Sequence, residues 1–150
     1  MASLKDYKPL RLMAGDEEDL KILSAVLQDA VAKLGDFAFL PAERRFAFVT
    51  NRFCWECAAD RKAGPFARVR AGVHFDDVKS AQFQHLRTDA KDAVVEFLAA
   101  RFEAGEDGTG VIVLDFAGGG AVRLEVESVN AYLSDMSDPW RTRSKPEHKD

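Results

Sequence analysis

The sequence predicts an α+β protein, mainly antiparallel β, with its longer helix near the start. Three observations carry that reading. The stretch 109–129, TGVIVLDFAGGGAVRLEVESV, joins an apolar run to an alternating one through three glycines, which is the pattern of a β-hairpin. Val69, Ala71, Val73 and Phe75 alternate with Arg68, Arg70, His74 and Asp76 across Gly72, the period of a strand with one wet face. Ahead of both, Leu20, Leu23, Val26, Leu27, Ala30 and Val31 recur at helical spacing, an apolar stripe that must be buried.

Taken in order, Leu10-Arg11-Leu12 allows a short first strand. Asp16 then suits an N-cap, and Glu17, Glu18 and Asp19 suit the positive end of a helix over 17–29. Strands follow at 37–40, which stops at Pro41, and at 46–50, after Glu43-Arg44-Arg45. Both are apolar on successive positions, so both faces are expected to be covered, one by the core and the other by the helix. Residues 54–64 are polar and irregular and end in the turn signal Gly64-Pro65. The run 94–102 fits either a strand or a helix capped by Thr88-Asp89. The strand is preferred because of an internal similarity. Asp29-Ala30-Val31 matches Asp92-Ala93-Val94 and, without gaps, sets Phe39 on Phe102 and Phe53 on Phe116. At a second offset, Val73 to Val78 resembles Leu124 to Val129, with the inward parity broken after the acid in each, as a bulge or a strand-ending turn requires. Val129, Tyr132, Leu133 and Met136 suggest a short C-terminal helix, with Trp140 as a final anchor.

The expected architecture is a six- to seven-stranded roll or partly closed barrel of two similar β-β-β halves. Its nearest analogue is a pleckstrin-homology-like roll. One domain is expected over 1–140, with a polar, unstructured tail over 141–150. A chain of 150 residues that is 47% hydrophobic and 31% charged has enough apolar mass for a core. Eleven Phe against two Tyr aim that mass at a dry interior. No apolar run is long enough to cross a bilayer, and MASLKDYKPL lacks the layout of a signal peptide. With two cysteines the chain reads as cytoplasmic and independent of disulfides. Its net charge of −4 argues against nucleic acid as a partner.

A combination of segments carries a family resemblance. Leu27-Gln28-Asp29-Ala30-Val31, the block Asn51-Arg52-Phe53 with Trp55-Glu56, and Phe116 to Ala121 followed by Arg123-Leu124-Glu125-Val126-Glu127 resemble an uncharacterised alphaproteobacterial family, known only as a domain of unknown function. The resemblance spans about 10–140. It implies a small bacterial cytoplasmic protein, with no known activity, cofactor or catalytic residue, and no demand for cysteine at Cys54 or Cys57.

The motifs that point to chemistry are weak. Cys54-Trp55-Glu56-Cys57 has the spacing of half a zinc site or of a thiol–disulfide pair. Zinc needs two more ligands, and only His74, His85 and His148 are on offer. Two incidental thiols is the preferred reading, and no metal or cofactor is expected. His74 and Asp76 share a strand face, which makes them candidates for general-base work in a hydrolase or isomerase, although no nucleophile motif joins them. Gly118-Gly119-Gly120 leads into a strand rather than a helix, so it is a turn and not a phosphate loop.

Charge is the strongest clue. From 41 to 70 there are seven cations and three acids, which leaves +4 here and −8 elsewhere. Arginine dominates the set, and its fork suits carboxylate or phosphate. The expectation is a non-catalytic binding or scaffolding module that meets a protein or anionic partner through Arg44, Arg45, Arg52, Arg68 and Arg70. Homodimerisation through an exposed sheet edge is a further expectation.

Overall fold

The computed structural model describes residues 7–58 and 66–142. Its order is β1 (Arg11–Ala14), α1 (Glu17–Leu27), β2 (Val31–Lys33), β3 (Phe37–Leu40), β4 (Arg45–Phe53), α2 (Trp55–Ala58), β5 (Phe66–Phe75), β6 (Val78–Gln84), β7 (Val94–Ala104), β8 (Gly110–Phe116), β9 (Ala121–Val126), β10 (Ala131–Asp135) and β11 (Trp140–Thr142). The strands form one open sheet in the order β1-β10-β5-β4-β2-β7-β8-β9-β6, with β3 paired on β4 and β11 on β5. Every pairing is antiparallel.

The helix forms where its cap and stripe direct. Asp16 accepts the Asp19 N–H at 2.8 Å, which satisfies one of the free amides of the first turn. Leu20, Leu23 and Leu27 are buried, and the helix ends at Leu27 because Asp29 adopts a left-handed φ of 67°. On the strands, alternation decides the inward face. Val69, Ala71, Val73 and Phe75 are buried on β5, and Val122, Leu124 and Val126 on β9. The glycine hairpin lies between β8 and β9, where Gly118 and Gly119 take φ of 90° and 96°, a region that side chains with a Cβ avoid. Residues 94–102 lie within β7, as the strand reading expects.

Phenylalanine fills the interior. Phe37 stacks on Phe48 at 4.9 Å and meets the edge of Phe116 at 5.9 Å, while Phe48 stacks on Phe97 at 5.1 Å. Each buried ring contributes roughly 1.5–3 kcal/mol relative to an exposed one.

About the β2–β7 pair the strand order is quasi-symmetric, with β4-β5-β10 on one side answered by β8-β9-β6 on the other. β5 passes into β6 and β9 into β10 by crossovers that exchange partners: β6 pairs with β9, and β10 with β5. The crossovers bond to each other. Asp76 N–H donates to Asn130 O at 2.8 Å, and Glu127 N–H to Asp77 O at 3.0 Å. The Asp77 carboxylate accepts Ser128 Oγ and Asn130 Nδ2, each at 3.2 Å. The two similar runs Val73 to Val78 and Leu124 to Val129 fall at these crossovers, so the broken parity after the acid marks the point where each strand changes sides.

Several expectations are corrected. Among the described residues the sheet has eleven strands rather than six or seven: β2 and β11 are too short to show a period, β6 has little apolar contrast, and β10 stands where a helix was expected. The expected C-terminal helix is β10. Val129, Ala131 and Leu133 are the buried positions, and the period of two is hidden by the smallness of Ala131. Arg141 and Thr142 belong to β11, so the tail does not begin at 141; residues 143–150 lie outside the described residues. Trp140 is 41% exposed and is no buried anchor. Cys54 and Cys57 are not free thiols but a disulfide, closed where the single turn of α2 brings the two residues together; residues 59–65 of the same segment are outside the described residues.

Candidate functional site

The five arginines expected to share one flank are deployed in different ways. Arg44 sits in a left-handed turn and pairs with Glu127 at 2.6 Å. Arg45 Nε donates to Asp76 at 2.7 Å. Arg52 points inward and is 1% exposed. All five of its N–H groups are used: two on Asp135, two on Glu56, and one on the carbonyl of Phe53. Burial alone would lower its pKa, but the bonds from Asp135 and Glu56 outweigh it, and the guanidinium is held charged. Asp135 also accepts the Leu10 N–H at 2.8 Å and the Tyr7 hydroxyl. Burial first, and then that bond to Asp135, push the Tyr7 phenol up. Arg68 Nη1 donates to the carbonyls of Asp29 and Asn51 at 3.2 and 3.1 Å, and burial lowers its pKa. Arg70 is exposed, and its guanidinium has no partner among the described residues. Arg61 and Lys62 lie outside those residues.

The surface around Arg70 carries what the charge count did not reveal. Cross-strand register places Ala38 beside Ala47, Ala47 beside His74, His74 beside Tyr132, and Tyr132 beside Met13. The next row runs from Val49 through Gly72 and Ser134 to Arg11. These rows form the outer face of β3, β4, β5, β10 and β1. A depression of about 410 Å³ over Ala38, Ala47 and Gly72 adjoins two others. It shares Asp36 and Val49 with a depression of about 280 Å³ that Lys33, Asn51 and Arg70 border. It shares His74 and Ser134 with one of about 370 Å³ that Arg11, Met13 and Tyr132 border. Together they make one trough across the sheet. Met13 is 73% exposed and Met136 60%. The signal for this face was present in the sequence: β3 and the start of β4 are apolar at successive positions. Among the described residues no helix covers it, and Ala38 and Leu40 are exposed.

The outer face of β7, β8, β9 and β6 is of the opposite kind. Arg101 bonds Asp115 at 2.8 Å and Glu103 at 2.7 Å, Arg123 bonds Glu103 at 2.8 Å, and Lys79 lies 3.9 Å from Glu125. Such exposed pairs satisfy one another in water.

At the middle of the trough, His74 Nδ1 is 3.2 Å from Asp76, and its ring stacks on Tyr132 at 4.7 Å. Asp76 is shared with Arg45. Burial pushes its carboxyl up, but the Arg45 bond and the His74 charge outweigh that and hold it below the ordinary range. Among the described residues, His74 hydrogen-bonds to no side chain but Asp76. The thiols a zinc half-site would need are joined to each other. No helix is long and apolar enough to cross a membrane.

Fold and site together define a mostly antiparallel β-sheet protein with a small helical complement, a sealed arginine centre and one unpaired sheet face. The chain belongs to the family described as a protein of unknown function (DUF2948), which matches residues 10–148. Comparison with curated proteins and with solved structures found no match.

Proposed function

We propose that the protein is a non-catalytic binding or scaffolding module that contacts a protein or anionic partner through the arginine-bearing outer face of β3, β4, β5 and β10. The contrast between the two outer faces carries this reading. Across β8, β9 and β6 the outer face carries mutually paired charges, with Val94 and Leu98 of β7 exposed at its margin, while the other half leaves a run of apolar side chains open beside unpaired cations. An apolar patch with a polar rim is what an interaction surface requires. In architecture we read the sheet as a partly closed roll of the pleckstrin-homology-like kind, and small folds of this kind host binding sites on fixed frameworks. We place the protein in the cytoplasm, with the disulfide as the observation that pulls the other way.

Of the predicted arginines, Arg45 and Arg70 border this face, and they are the two we assign to binding. Arg52 and Arg68 support it from within, and Arg44 braces a crossover. The test is partner capture from native lysate by the wild type, by Arg45→Glu/Arg70→Glu, and by Arg101→Gln/Arg123→Gln. A partner lost only with the first pair supports the reading, and one retained by both variants ends it.

A small hydrolase or isomerase using His74 and Asp76 is the second reading, favoured by their 3.2 Å contact. Turnover of a generic ester or carbonyl substrate that survives His74→Ala would remove it.

A further inference from the structure

We propose that the trough takes an acidic amphipathic segment of a partner protein, an inference that rests on the binding-module reading above. The charges at its ends state what it wants. Lys33 and Arg70 border one end and Arg11 the other, and none of the three forms an ion pair among the described residues. Arg45, at the wall, is offset by Asp76. Among the described residues, Asp36 is the only acid that lines the three depressions, although the chain as a whole carries −4. An unpaired cation at each end of an apolar channel is complementary to carboxylates flanking apolar side chains.

The floor sets the shape of the occupant. Ala38 and Ala47 lie at its centre, and the Met136 thioether lies over Gly72, 3.1 Å from where a Cβ would stand there, so the floor is one of small side chains beside a single flexible one. From β1 to β2 the trough crosses four strand spacings, a span of roughly 19 Å at about 4.8 Å each. A second copy fits poorly, since it would bring the same unpaired cations against each other. A bilayer would also take up the exposed Met13, Leu40 and Met136, and the vesicle arm of the experiment distinguishes it.

The experiment is selection of a phage-displayed library of random 16-residue peptides on the folded wild-type protein. Synthetic copies of the selected peptides are then titrated by fluorescence polarisation. The expected peptides combine apolar residues with Asp or Glu. They bind at least tenfold more weakly to Ala47→Glu and at least fivefold more weakly to Lys33→Glu/Arg70→Glu, with Arg123→Gln unchanged. If Ala47→Glu fails to fold, Met136→Glu, at an exposed position, gives the same reading. Peptides that compete for the trough but lack acids sink the acidic partner and leave the module. Peptides indifferent to every trough variant, or no enrichment at all, overturn the acidic segment, and the capture experiment above decides the module separately. A wild-type dimer that Ala47→Glu makes monomeric overturns the proposal in favour of a second copy. Binding to phosphatidylglycerol vesicles that the same variant abolishes overturns it in favour of a lipid surface.

Discussion

Arg52 and Asp135 meet through two hydrogen bonds of 2.8 Å, Nε to Oδ1 and Nη2 to Oδ2, with both side chains sealed from solvent. The pair ties β4 to β10 across 83 positions of sequence. Through Asp135 it also holds Leu10 and Tyr7 in place. Removing Arg52 leaves the Asp135 charge buried and uncompensated, which costs about 3–5 kcal/mol, whereas removing the Asp135 charge leaves Arg52 its two bonds to Glu56. Arg52→Met is therefore expected to lower unfolding free energy by that amount in urea titrations, and Asp135→Asn by less. Arg52→Lys fares little better, since an ammonium cannot replace a fork that makes five bonds. A loss of under about 1 kcal/mol in all three variants would contradict the assignment.

The same pair sets an acid limit. Burial pushes the Asp135 carboxyl up, but the bonds from Arg52, Tyr7 and the Leu10 amide, with the Arg52 charge, outweigh it and hold it below the usual range. A carboxyl depressed on folding contributes stability above its unfolded pKa, roughly 4, and loses it as pH falls through the folded value. Asp76, depressed beside Arg45, acts in the same direction but is more exposed. Urea midpoints are expected to show no loss from these groups between about pH 7 and pH 5, and a decline below about pH 4. Asp135→Asn starts lower and declines less steeply. Parallel wild-type and variant curves would exclude Asp135 as the source.

How much of this was legible depends on whether each residue's role has a local signature. The β8–β9 hairpin and the alternation in β5 could be read because side-chain period, turn residues and burial agree there. The strand β6 could not: VKSAQFQ has little apolar contrast, and its register shifts between Val78 and Ser80. In β10, Ala131 was too small to mark the buried face. For the site, the arginine bias was visible but its use was not. Arg52 and Arg70 look alike in a charge count, and only the distant Asp135 makes one of them interior. The open face is the converse case. Successive apolar positions in β3 foretold a second covered face, and nothing in the order of residues says that this chain would fail to cover it.

Asp77 gives a test of the crossovers. It holds a left-handed φ of 60° while its carboxylate accepts Ser128 and Asn130. Asp77→Gly keeps the backbone but loses both bonds, at about 1–3 kcal/mol. Asp77→Ala adds the cost of a Cβ in the left-handed region, roughly 1 kcal/mol more. The order wild type, glycine, alanine in thermal midpoint is the expected result. Alanine equal to or above glycine would mean that φ at this position is not enforced by the crossing strands.

The Cys54–Cys57 bond makes a final, separable prediction, because its loop is short and its position is specific. In the chain-entropy account, closing so few residues stabilises by only about 2 kcal/mol, less than the loss expected for Arg52→Met. Its local effect is larger. Glu56 lies between the two cysteines and bonds Arg52 with both carboxylate oxygens, so the closed turn holds one wall of the arginine centre. Cys54→Ala/Cys57→Ala is expected to raise hydrogen exchange at the amides of 55–58 while the amides of β4 that pair with β5 stay protected. Thiol titration of the purified, unreduced protein in denaturant should find no free thiol, and two after reduction. Two thiols before reduction would remove the bond from the account and leave Glu56 to be positioned by Arg52 alone.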